Sequence, residues 1–189
     1  TVDGTLLGVT TKYFNAANVD TNGIDIEINY SFDTNLGSLN MVLRGTHILK
    51  YEIPDTSGGS KDVVGLFNHD NFARSLPETK IILNADIINN QHIFSLVGRY
   101  TSDYKTTRVL SSSAKSLGYN QNIDEWLSID SKYNYSFEFN ENEMRLSLGI
   151  KNIFDEEAPQ VYDAANFSYD PRQHDTRGRL AYIGLKLLR

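Results

Sequence analysis

Between Ile24 and Phe32 apolar and polar residues alternate without a fault. Ile24, Ile26, Ile28, Tyr30 and Phe32 interleave with Asp25, Glu27, Asn29 and Ser31. A period of two puts the two sets on opposite faces of an extended strand, whereas a helix would scatter them around its circumference with no apolar stripe. The pattern returns from Leu127 to Phe139, with Ser131 as its polar intruder, and again through Met144, Leu146, Leu148 and Ile150. Together with weaker alternations it predicts about eight strands, at 5–14, 23–33, 38–51, 76–88, 92–103, 124–139, 143–152 and 177–188.

The connections between these strands are unequal. Short turns at 33–37, 89–91 and 140–142 alternate with long connections at about 52–75, 104–123 and 153–176, and a shorter one at 15–22. In an antiparallel meander successive connections fall at opposite ends, so all short turns share one rim and all long loops the other. Outer-membrane barrels have this asymmetry; a soluble sandwich has no reason for it. Tyr30, Phe32, Tyr135, Phe137 and Phe139 fall beside short turns, and Tyr100 and Tyr104 beside a long loop, as two interfacial aromatic belts would place them. The expected fold is all-β, an antiparallel up-and-down meander in one domain spanning 1–189.

Composition narrows the classes. The chain has 189 residues and a formal charge of −6. Its pI of 5.2 argues against nucleic-acid binding, which rests on basic surfaces. The absence of cysteine excludes disulfide scaffolds, Cys-ligated zinc and thiol catalysis. Eleven Tyr and nine Phe against one Trp suit strands. A mean hydropathy of −0.40 and the lack of an apolar run near 20 residues exclude a spanning helix, though not a barrel, whose strands need an apolar residue only at every second position. The opening Thr1-Val2-Asp3-Gly4-Thr5-Leu6 lacks an initiating Met and a basic leader, so the chain reads as a mature product or a piece of a longer one.

Near the C-terminus, Gly149-Ile150-Lys151-Asn152-Ile153-Phe154-Asp155 is followed by a long loop containing Tyr169-Asp170-Pro171 and His174-Asp175. Then comes Arg177-Gly178-Arg179-Leu180-Ala181-Tyr182-Ile183-Gly184-Leu185. These resemble the "V-x-N-L-F-D" end of the penultimate strand and the "G-R-x-x-Y-x-G-L" opening of the last strand in TonB-dependent outer-membrane receptors. Upstream, Asn15-Ala16-Ala17 with Gly23-Ile24-Asp25-Ile26-Glu27, Leu76-Pro77-Glu78, and Arg99-Tyr100-Thr101-Ser102-Asp103-Tyr104 are similar to further hairpin features of that family. The resemblance covers nearly the whole chain and rests on the order and spacing of the motifs. One departure is the ending Leu187-Leu188-Arg189, where family members usually carry a terminal aromatic residue.

The resemblance implies that the chain is the C-terminal segment of a large transmembrane β-barrel of 22 strands closed around a plug, with the plug and N-terminal strands missing from it. It also implies a role as the wall of an energy-coupled transporter for a scarce nutrient, in the ferric siderophore, haem, cobalamin or glycan class. The implied partners are outer-membrane lipid, the plug and remaining strands, TonB through the N-terminal part, and a small nutrient ligand. The long loops would be extracellular, and the short turns and C-terminus periplasmic. In that reading Ile24, Ile26, Ile28, Met144, Leu146, Leu148, Ile150, Ile183, Leu185 and Leu187 face lipid, while Asp25, Glu27, Asp130, Lys132, Arg145, Lys151 and Lys186 face the lumen.

No catalytic, cofactor or metal site is expected: G-x-S-x-G, H-E-x-x-H and EF-hand patterns are all missing, and Gly58-Gly59-Ser60-Lys61 lacks phosphate-loop spacing. Asp155-Glu156-Glu157 could attract a divalent cation but reads as the charged start of a loop. The ligand-facing candidates are loop residues: His69, Asp70, Phe72, Tyr119, Tyr162, Tyr169, His174 and Asp175, with Asn68, Phe67 and Phe167 beside them. The competing reading of each is a solvated loop side chain or loop packing. Three other classes stay open: a small complete outer-membrane barrel with an adhesin or structural role, an outer-membrane hydrolase, and a soluble β-sandwich.

Overall fold

The computed structural model describes residues 8, 18–55, 58–162 and 168–188. Its strands are β1 (Asp20–Thr34), β2 (Gly37–Pro54), β3 (Ser60–Asp62), β4 (Leu66–Phe67), β5 (Ser75–Leu76), β6 (Thr79–Asn89), β7 (His92–Thr101), β8 (Tyr104–Thr106), β9 (Asn122–Ile123), β10 (Trp126–Phe139), β11 (Asn142–Lys151) and β12 (Leu180–Leu188). A single short helix among the described residues, α1 (Ser112–Ser116), is capped by Ser111, whose Oγ accepts from the Ala114 N–H.

The seven long strands form one antiparallel meander in the order β1-β2-β6-β7-β10-β11-β12, with β3 added to β2. This is the expected all-β meander. Seven of the eight expected strands are present, and the eighth, 5–14, lies outside the described residues, as does Asn15-Ala16-Ala17. The sheet is open: β1 and β12 are its outer strands and do not pair with each other.

Register fixes the faces, because residues directly opposite share a side. Ile28 lies opposite Leu43, Leu43 opposite Leu83, Leu83 opposite Gly98 and Gly98 opposite Ile129. Further along, Tyr133 lies opposite Leu148 and Leu148 opposite Ile183. One side of all seven strands is therefore a largely apolar surface, interrupted by His47, Thr79 and Ser131 and, toward the tight turns, by Asn89, His92 and Asn142. Among the described residues no other part of the chain covers it at its core positions: Ile26, Ile28, Leu127 and Ile183 are 51%, 54%, 52% and 74% exposed.

The other side is mostly polar, with Val42, Ile82, Ile88, Ile93 and Val97 interspersed, and is cross-linked between strands. The Arg44 Nε donates to Glu27 at 2.9 Å, Thr46 Oγ1 to Asp25 at 2.6 Å, Arg99 Nη1 to Asp130 at 2.7 Å and Ser147 Oγ to Asn134 at 2.7 Å. The partition of Ile24–Ile28, Met144–Ile150 and Ile183–Leu187 from Asp25, Glu27, Asp130, Lys132, Arg145, Lys151 and Lys186 agrees with the sequence pattern.

Three tight turns lie at one end. Asn140 and Glu141 both adopt positive φ (49° and 62°), the mirror-image geometry that matches strand twist. Gly37, at φ 129°, packs so closely that a Cβ there would collide with the Ile88 carbonyl oxygen. Beside these turns the apolar face carries aromatic pairs: Tyr30 with Phe32 at 5.2 Å between ring centroids, and Tyr135 with Phe137 at 5.7 Å.

The long connections lie at the opposite end, and here the structure departs from a simple loop reading. They fold into a cap with its own sheet, β5-β4-β8-β9, in which β4 and β8 run parallel. Among the described residues the buried apolar cluster sits in this cap: Tyr104, Ile123 and Val161, with Phe67 packed against them. Strand ends shift accordingly. Leu76 joins the cap, so β6 begins at Thr79. Tyr104, expected in an aromatic belt, is instead 2% exposed, because the chain turns away at Ser102 and enters β8. The phenol oxygen of Tyr104 donates to the wholly buried Asp170 at 2.9 Å, tying the last long loop to the second.

Candidate functional site

The cap meets the polar face of the sheet at a cavity of about 330 Å³. Its floor comes from the loop ends of the strands: Arg99 on β7, Trp126, Ser128 and Asp130 on β10, and Lys151 on β11. Its roof is the 171–178 segment of the last long loop. These strand residues share the polar face because they alternate with Tyr100, Leu127, Ile129 and Ile150.

The resemblance motifs supply the frame. Asn152 is 7% exposed and takes φ 49°, a left-handed conformation that asparagine tolerates better than most residues. Its side chain closes the turn, with Nδ2 donating to the Glu156 carbonyl and Oδ1 accepting from the Glu156 N–H, both at 2.9 Å. Its own N–H donates to Asp130 Oδ1 at 2.9 Å. Asp155 reaches across to the last strand, accepting from the Arg179 N–H at 2.6 Å. The Tyr182 ring lies over Gly149, its cross-strand partner, where any side chain would strike it. The two C-terminal motifs thus interlock, and Asp155 is engaged with the backbone of Arg179.

Electrostatics in the cavity are lopsided. Arg99 is paired with Asp130, and Arg177 grips Asp175 through both carboxylate oxygens, Nε to Oδ1 at 2.9 Å and Nη2 to Oδ2 at 2.5 Å. The Arg177 guanidinium holds the Asp175 carboxyl down at about 2. Lys151 and Arg172 also line the cavity, and among the described residues neither has a salt-bridge partner.

His174 is 6% exposed. Its ring stacks on Tyr104 at 6.0 Å and meets Trp126 edge-on at 5.6 Å. Neither ring nitrogen has a hydrogen-bond partner, and the same is true of Trp126 Nε1 and Gln173 Oε1. No carboxylate orients the imidazole, as a general base would need.

Burial pushes the His174 imidazole below its ordinary range; Lys80 acts in the same direction and Asp170 opposes it. The unfolded chain therefore binds the proton more readily than the folded cap. The full contribution to stability is present above the unfolded value near 6.5 and is lost as pH falls below it. Unfolding of the cap, followed through Trp126 fluorescence, is expected at a lower temperature at pH 5 than at pH 7.5, and His174→Leu should flatten the difference. A pH profile unchanged by that substitution would refute the assignment.

The other loop candidates lie elsewhere. His69 Nδ1 is 2.8 Å from Asp70 Oδ1, which lowers the Asp70 carboxyl, but the pair stands at the cap surface beside Arg108 and away from the cavity. Asn68 is buried and structural, donating to the carbonyls of Val63 and Arg74. Phe72 is exposed, and Tyr119 contacts Tyr162 at 5.7 Å. Tyr169 lines a second cavity with Asp155 and Glu157, while Phe167 lies outside the described residues. Of the sequence candidates, the structure brings only His174 and Asp175 into the first cavity. The residues the loop-based reading overlooked there are Arg99, Trp126 and Arg172. A cation on the polar face at a strand's loop end, with the single tryptophan nearby, was the available signal. Comparison with known protein families, with curated proteins and with solved structures finds no match for this chain.

Proposed function

We propose that the chain is part of the wall of a TonB-dependent outer-membrane transporter, working with a plug, further strands and TonB in the uptake of a scarce nutrient. The observation that carries this reading is the uncovered apolar face running across seven strands, opposite a polar face held by cross-strand ion pairs. Strands of 9 to 11 residues, as in β6, β7, β11 and β12, suit a tilted bilayer crossing. In lipid an apolar exterior is stabilising and the charged side lines water. The open edges of β1 and β12 would pair with neighbouring strands, since a barrel tolerates no free edge in hydrocarbon. The interlocked motifs at 149–155 and 177–185 support the choice of family, and the cap fits extracellular loops that meet the ligand.

The absence of cysteine makes a topology test clean. With Val109→Cys in the cap and Leu36→Cys in a tight turn, both well exposed, a membrane-impermeant maleimide applied to intact cells should label the first and spare the second until the outer membrane is permeabilised. Labelling of both, or recovery of the protein in the soluble fraction, would overturn the proposal.

A further inference from the structure

The cavity beneath the cap carries four cationic side chains, Arg99, Lys151, Arg172 and Arg177, against two carboxylates, Asp130 and Asp175. That is a formal excess of two positive charges in a chain whose total is −6. Both carboxylates are already committed to Arg99 and Arg177, so the excess resides on Lys151 and Arg172. The wall beside them includes Trp126 and His174, each about nineteen-twentieths buried, with unpartnered ring nitrogens. A volume of about 330 Å³ is at the small end for organic ligands.

We infer that this cavity is a binding site for a small oxyanion, carboxylate or phosphate, held by Lys151 and Arg172 and flanked by the Trp126 indole and the His174 ring. Arg172 supplies a planar fork for two oxygens and Lys151 a point charge. Arg99 and Arg177, fixed by their own carboxylates, set the surrounding potential. The site stands on the junction of cap and polar face, and it does not require the apolar face to lie in lipid.

Trp126 is the sole tryptophan of the chain, so its emission reports on this cavity alone. Detergent-solubilised protein is titrated with citrate in one arm and inorganic phosphate in the other, with sodium chloride at matched ionic strength as the control. A saturable change in emission is expected with at least one of the two oxyanions and none with chloride; the arm that responds identifies the source of the oxyanion. Lys151→Gln and Arg172→Gln should each weaken binding about tenfold, and the double variant should abolish it while the far-ultraviolet β signal is retained. No saturable response to either oxyanion, or one that the double variant leaves unchanged, would overturn the inference. Neither result touches the cysteine-labelling pattern, so the site and the transporter reading fail separately.

Discussion

Ile28→Arg is expected to remove most folded protein from the membrane, whereas Asn29→Arg, one residue along and on the opposite face, should leave it in place. Ile28 is in the middle of β1, 54% exposed, in the row that continues through Leu43, Leu83 and Ile129. A guanidinium on a lipid-facing strand near mid-bilayer costs about 2–4 kcal/mol. Asn29 stands on the polar side, where its Nδ2 donates to Glu27; an arginine there can keep that partner and stay hydrated, so its effect should be within about 0.5 kcal/mol. A third substitution separates lipid from protein as the covering layer. Ile28→Phe is tolerated by fluid hydrocarbon, but against a close-packed second sheet it would cost about 1–3 kcal/mol through overpacking. The readout is the fraction of heat-modifiable, folded protein in the membrane fraction. Equal losses for the two arginine variants would sink the lipid-facing assignment, and a large loss for Ile28→Phe would point to a sandwich.

The faces of this sheet were legible because nothing else competes for them. Where a strand has one apolar and one polar side, each residue states its side, and Ile24–Phe32 and Leu127–Phe139 need no tertiary information to be assigned. Ser131 deviates from its row at little cost, as a single polar residue among neighbours on strands on either side. The cap was not legible. Its strands at 66–67, 75–76, 104–106 and 122–123 are too short to show any period, and the parallel pairing of Leu66–Phe67 with Lys105–Thr106 depends on chain brought from 39 residues away. Tyr104 shows the difficulty: an aromatic residue just past a strand reads equally as a belt residue or as core, and only the arrival of Asp170 decides it. The cavity was half legible. His174 and Asp175 stood out as loop chemistry, but Arg99 and Lys151 look like ordinary polar-face residues until the 171–178 segment folds over them.

Asn152 links these two levels, and Asn152→Ala should be the most damaging single change in the cap. The side chain makes both hydrogen bonds that close the turn onto Glu156, each contributing about 0.5–1.5 kcal/mol. Alanine loses both and also tolerates the left-handed φ less well than asparagine. A total near 1–3 kcal/mol follows, enough to release Asp130 from the Asn152 N–H and to loosen the floor of the cavity. Asn152→Gly tests the division of that loss. Glycine forfeits the same two hydrogen bonds but carries no penalty for positive φ, so it should be less damaging than alanine by about 1 kcal/mol. Denaturant unfolding monitored at Trp126 measures both. If glycine proves as harmful as alanine, the left-handed turn contributes nothing and the hydrogen bonds alone account for the asparagine; if neither variant shifts the transition, the turn is not what anchors the cap to the sheet.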